Sequence, residues 1–167
     1  MEICSNDFED LRTHYETDLG KALDMERKIA KQLFHLIENA LDEDLADAFS
    51  SHLEETRDHI EKVEALLILH RGQTRGKTCK AIDGLLDEAA EAIAEVGDVC
   101  IGDIHLIGVA QQIEHHEIAV YGSLRRRAEL LGLAHDAVVI DSIEADEMNA
   151  DGLLSAISER ANLIRAI

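Results

Sequence analysis

Glu114-His115-His116-Glu117 decides the fold of this chain, because two carboxylates fall inside a stripe of apolar residues. Ile107, Gln111, Glu114, Ile118, Tyr121, Leu124, Ala128 and Leu131 recur with helical period on one face, and Glu117 falls there too. A carboxylate on the core side of a helix is costly unless it is paired, protonated or bound to a cation. The same intrusion recurs elsewhere. Glu26 interrupts the stripe Leu19, Ala22, Ile29, Leu33, Leu36, Ala40, and Glu147 interrupts Ile140, Ile143, Ala150, Leu154, Ile157, Ala161. Acidic residues at mid-stripe on several helices predict a metal site inside a four-helix bundle.

Working outward, the periodicity divides the chain into five helical segments. The first runs from Ser5 or Asn6, a plausible N-cap with Glu9 completing a capping box, to Asn39. The second runs from about Glu43 to His70 and stops at Gly72. The turn between them is very short, so they pair as an antiparallel hairpin. Residues 71–80 read as a polar, basic loop, and Ile82 to Val96 as a shorter helix, with Gly97 and Gly102 loosening the chain after it. The fourth segment ends near Leu131 with Gly132 as its stop, and the last begins at His135 or Asp136 and runs nearly to the C-terminus. Two long hairpins joined by one long crossover match the ferritin-like arrangement, in which only the second and third bundle helices are connected at length. The expected fold is all-α: two antiparallel hairpins forming one domain over residues 1–167, with the short helix outside the bundle.

Composition narrows the function classes. The chain has 167 residues, enough to bury a sizeable core. It has no proline and only 3% aromatics, which disfavours a sheet protein. Its net charge of −19 argues against nucleic acid and against anionic membranes as partners. No apolar run approaches the about 18 residues of a membrane span. Cys4, Cys79 and Cys100 follow no zinc-binding spacing, and their odd number with an acidic N-terminus predicts reduced thiols in a cytoplasmic protein.

The candidate ligands follow from the stripes. Glu26 comes from the first helix, Glu114 and Glu117 at i and i+3 from the fourth, and Glu147 with Asp151 one turn later from the fifth. On the second helix Glu55 and His59, at i and i+4, are adjacent, but they flank the stripe Phe49, Leu53, Thr56, Ile60, Val63, Leu67. Asp58 is an alternative partner for Glu55. His52, one turn before Thr56, reads as a ligand, a supporting partner or a hydrogen-bonded core histidine. Tyr121 is placed to hydrogen-bond a ligand, or is an ordinary core tyrosine. His115 points off the main face and His116 further still, toward the surface. His14, His35, His70, His105 and His135 form no recognisable cluster, and Arg125-Arg126-Arg127 reads as a solvated, ion-paired face. Oxygen-rich ligation with one or two imidazoles suits two iron or manganese ions better than a structural zinc.

At these residues the chain resembles the YciE/YciF type of bacterial stress-associated ferritin-like proteins. The resemblance rests on Leu23-Asp24-Met25-Glu26, on His52 through Glu64, on Ala110 through Gly122, and on Glu144 through Asp151. Gln111-x-x-Glu114-His115-x-Glu117-Ile118-Ala119-x-Tyr121-Gly122 is its most specific part. His116 stands where the family commonly has Tyr, and Lys28 where it often has Gln. The resemblance implies a compact bundle, often dimeric, with a di-metal site. Asp151 stands where other ferritin-like proteins carry His, so this site is richer in carboxylate.

Two functional readings come from these observations. One is a di-metal protein in which bridging carboxylates hold iron or manganese for reaction with peroxide or oxygen, with Glu114 as the bridge. The other is a non-enzymatic, stress-induced structural or interaction bundle, its acidic centre neutralised by His or Lys contacts. A cage-forming iron store is a third, and nothing in the sequence marks the interfaces a cage needs.

Overall fold

In a computed structural model of the protein, the backbone of residues 5–71, 77–94 and 99–165 and the side chains of residues 8–71, 77–94 and 102–160 are described. The described residues contain five helices and no strand: α1 (Ser5–Asn39), α2 (Glu43–Leu69), α3 (Lys80–Ala94), α4 (Val99–Leu130) and α5 (Ala134–Arg165). The side chains of Ser5 and Asn6 that were expected to cap α1, the stop at Gly72, the loosening at Gly97, the end of α3 at Val96, and the side chains of Cys4, Cys100 and Ala161 lie outside the described residues. α3 starts at Lys80 rather than Ile82.

α1 packs along α2 and α4 along α5; α2 against α5 and α1 against α4 close the bundle, and α3 lies outside on α4 and α1. The core is aliphatic, with Leu19, Leu23, Ile29 and Leu36 of α1 meeting Leu45, Phe49, Val63 and Leu67 of α2, Leu106, Ile113 and Leu124 of α4, and Ile140, Ile143 and Leu154 of α5. Each such side chain stabilises the fold by roughly 1.5–3 kcal/mol relative to exposure.

Two polar clasps fix the ends and explain the topology. At one end Asp103, near the start of α4, accepts from the backbone N–H groups of Leu41 and Asp42 at 2.9 Å each, and Asp42 caps α2 by accepting from Leu45 N–H at 3.1 Å. At the other end Asp136, in the first turn of α5, accepts from the Tyr15 hydroxyl at 2.7 Å and lies 2.6 Å from His70 Nε2. His70, unassigned on sequence, thus belongs to a buried network joining α1, α2 and α5. The chain therefore leaves α2 at the Asp136 end and enters α4 at the Asp103 end. The connection must travel the length of the bundle, and α3 lies along it. Lys28 of α1, paired one turn back with Asp24 at 2.7 Å, ties α3 to α1 through Asp83 at 2.5 Å.

The helix stops differ in one respect from expectation. Gly132 adopts φ +70° and closes α4 with Gly132 N–H donating to Glu129 C=O at 3.1 Å and Leu133 N–H to Ala128 C=O at 2.9 Å, a Schellman arrangement. At α2 the left-handed position falls on Arg71, φ +55°. The Arg125–Arg127 run is ion-paired as expected: Arg125 with Glu144 and Glu129, Arg126 with Glu129, and Arg127 with Asp18.

Candidate metal centre

The four long helices carry their polar core residues to one level of the bundle. Glu26, His59, Glu117 and Glu147 are wholly buried, and Glu114 and His52 nearly so. Two groups of ligand atoms result, each lying within 4.8 Å of one another: His52, Glu114, Glu117 and Glu147 in the first, and Glu26, His59 and Glu147 in the second. His52 Nε2 is 3.3 Å from Glu114 Oε1 and 3.5 Å from Glu147 Oε2. His59 Nδ1 is 3.1 Å from Glu147 Oε1 and 3.8 Å from Glu26 Oε1. Glu147 alone belongs to both groups, so the shared position on α5 is Glu147, whereas the sequence pointed to Glu114 on α4 as the bridge.

Outside these groups stand the partners that orient them. Tyr121 donates its hydroxyl to Glu26 Oε1. His59 Nε2 faces Asp146 Oδ2 at 3.2 Å, and His52 Nδ1 faces Glu55 Oε2 at 3.4 Å. Asp146 is a supporting residue that the sequence reading missed; its place immediately before Glu147 gave no signal, since on a helix neighbours in sequence face different ways.

Two expected ligands are placed elsewhere. Glu55 lies outside both groups, its side chain 45% exposed, because the inward face of α2 runs through His52, Thr56, His59 and Val63. His52 and His59 are seven residues apart, two helical turns, and that spacing was the available signal for His52. Asp151 is likewise outside. It accepts from Gln111 Nε2 at 2.9 Å and lies 3.5 Å from the exposed His115, because one further turn along α5 carries it toward α4. Asp58 is exposed and paired with Lys62 at 2.7 Å. His116 is half-buried rather than at the surface, its Nε2 3.8 Å from Cys79 Sγ, and burial depresses its pKa.

The electrostatics are those of carboxylates forced together away from water. Burial first, then the neighbouring Glu147, pushes the Glu26 carboxyl up to about 8. Burial likewise takes Glu114 to about 8 against the opposing pull of His52, and it raises Glu117 well above the usual carboxylate range, reinforced by Glu147, Glu26 and Glu114. For His52 burial works downward but is outweighed by Glu55, Glu114 and Glu147, which lift it to about 9. His59 is raised too: burial is outweighed by Glu147 and Glu26.

The donor set fits a pair of hard or borderline cations. Both oxygens of Glu117 and of Glu147, Oε2 of Glu26 and of Glu114, Nε2 of His52 and Nδ1 of His59 are buried without an aligned hydrogen bond. Buried polar atoms are nearly always satisfied, and this many orphans converging on one point have the chemistry of ligands.

A four-helix bundle with one long crossover and a carboxylate–histidine centre shared among all four helices defines the class of this protein. The chain belongs to the DUF892 family, a domain of unknown function whose model matches residues 10–166. It is 33% identical over 144 residues to the protein YciF of Escherichia coli K12, covering 86% of this chain and 85% of that protein. The crystal structure of the E. coli stress protein YciF superposes with a TM-score of 0.87 at 29% identity, over 90% of this chain and 96% of that one. YcfI of Rhodopseudomonas palustris gives a TM-score of 0.84 at 33% identity, over 92% and 98%. Among the described residues no helix is long and apolar enough to cross a membrane.

Proposed function

We propose that this chain is a di-metal carboxylate protein that binds two iron or manganese ions and handles peroxide or oxygen under stress. The observation that carries the reading is the pair of ligand groups joined at Glu147, with their buried oxygen and nitrogen atoms left without hydrogen-bond partners. His52, Glu114 and Glu117 would serve one ion, Glu26 and His59 the other, and Glu147 both. Iron or manganese, when bound, would supply the electron transfer to peroxide or oxygen. The chain's own residues prepare the site. Tyr121 holds the Glu26 carboxylate, while Asp146 and Glu55 fix the ring orientations of His59 and His52. Aliphatic neighbours such as Ile29, Leu53 and Ile143 keep bulk water out. The name of the E. coli relative, a stress protein, supports the cellular setting. The same reading takes the chain to be cytoplasmic and homodimeric; light scattering tests the dimer.

A second reading rests on a specific observation: His52 and His59 already abut the carboxylates, so imidazolium groups offset part of their charge without any ion. This is the structural or interaction bundle. Metal analysis of protein purified without chelator and then exposed to Fe²⁺ or Mn²⁺ separates the two. Two ions per chain support the di-metal reading; none, at millimolar metal, leaves the structural one.

A further inference from the structure

A cavity of about 90 Å³ opens between α2 and α5 and ends at His52 and Glu114. Its outer part is edged by Ser51, Glu55 and Asn149, with Ala150 in its wall. The orphaned Glu114 Oε2 and His52 Nε2 belong to residues nine-tenths or more buried, and both residues line this space. Glu55 stands between solvent and centre: its side chain is 45% exposed, and its Oε2 lies 3.4 Å from His52 Nδ1.

We infer that this cavity is the loading passage for divalent cations, and that Glu55 captures the cation at its mouth and hands it inward to His52 and Glu114. The inference rests on the di-metal reading and adds the route and the residue that serves it. A cation entering a core through apolar walls must exchange its waters one by one for protein oxygens. Ser51, Glu55 and Asn149 offer such oxygens at the rim, while Phe49, Leu153 and Leu154 offer none. A partly exposed carboxylate can meet a hydrated ion, which the wholly buried Glu117 and Glu147 cannot. Glu55 is also the anion nearest the inward ligand His52 on its own helix, so capture and transfer need only a side-chain rotation. A charged mouth on a low-dielectric cleft concentrates counter-ions and raises on-rates by roughly 10- to 1,000-fold. The carboxylate that helical spacing marked as a ligand thus serves the site from one step outside it.

The test is the rate of Mn²⁺ uptake by metal-free full-length protein, followed by loss of the free-ion EPR signal, with final content measured after desalting. Glu55→Gln keeps shape and removes charge, and Ala150→Leu narrows the passage. Both are expected to load about tenfold slower or worse than wild type, and Ala150→Leu, which alters no group that holds or orients a ligand, is expected to reach the same Mn²⁺ per chain. Glu54→Gln, on a side chain that points to solvent beside it, is expected to load at the wild-type rate. Wild-type rates in both Glu55→Gln and Ala150→Leu overturn the passage while leaving the di-metal reading standing. A Glu55→Gln variant that loads at the wild-type rate but reaches a lower final content also overturns it, because Glu55 would then hold the bound ions rather than admit them. Wild type that takes up no Mn²⁺ overturns both.

Discussion

The clearest consequence of packing these carboxylates together is an inverted pH dependence of stability. In EDTA, raising the pH from about 5 to about 7 is expected to destabilise the protein, although this is the range where most proteins are steady. Glu26 holds its proton up to about 8 when folded and ionises near 4.5 when unfolded. Its contribution is therefore complete below the unfolded value and lost as pH rises toward the folded one. At about 1.4 kcal/mol per unit, the loss between about pH 5 and about pH 7 comes to roughly 2.5 kcal/mol for Glu26 alone. His52 acts in the same direction: its bound proton stabilises fully below 6.5 and is lost as pH rises through about 9, adding about 1 kcal/mol over the same window. Glu114 repels the same Glu147, so its share overlaps with that of Glu26 and is not summed. Asp18 and Asp24 do not interfere, since Lys21 and Lys28 outweigh burial and hold both below their usual range, while His116, depressed by burial, works the other way and makes the loss from Glu26 and His52 an upper figure. For a chain of this size 1 kcal/mol moves the midpoint by about 2–4 °C, so the combined loss of about 3.5 kcal/mol should lower the melting temperature by about 7–14 °C. Bound cations require the deprotonated ligands, so with Mn²⁺ at about 100 times its dissociation constant the protein should gain about 2.7 kcal/mol, and the gain should grow with pH. Differential scanning calorimetry at several pH values, with EDTA and with Mn²⁺, measures both. A flat EDTA profile across the window would refute the buried, proton-holding carboxylates; identical curves with and without millimolar Mn²⁺ would leave a purely structural bundle.

Three further outcomes are expected. Glu147→Ala should abolish binding of both ions and Glu114→Ala of at least one, whereas His116→Ala should retain nearly all metal; content per chain after identical loading and desalting decides, and full content in the first two would remove α4 and α5 from the site. Tyr121→Phe leaves Glu26 without its donor and should cost about 1–3 kcal/mol in urea unfolding with EDTA; an unchanged midpoint would mean that the hydroxyl contributes nothing there. Gly132→Ala forces a side chain into φ +70° at the Schellman stop and should cost about 1 kcal/mol, read as a melting shift of about 2–4 °C with metal content unaltered.

Helical period is a property of the chain itself, so the sequence alone determined the helices, the single long crossover and the inward face of three of them. On α1, α4 and α5 the stripe is unambiguous: Glu26, Glu114, Glu117 and Glu147 are each in phase with leucines and isoleucines, and burial follows from their phase. On α2 the apolar stripe runs through Phe49, Leu53, Thr56, Ile60, Val63 and Leu67, and His52, Glu55 and His59 all lie off its centre on one flank. Only packing against α1 and α5 at once decides how far round that flank burial extends, covering His52 and His59 together with the apolar stripe and leaving Glu55 at the rim. The place of Asp151 is decided in the same way, by Gln111 reaching across from α4 to hold it, and so is that of His70, which meets Asp136 and Tyr15 from two other helices. The sharing of Glu147 between two ligand groups was beyond any one helix's periodicity. It depends on where the carboxylate ends relative to side chains from three other helices, and those separations are set only when the bundle closes.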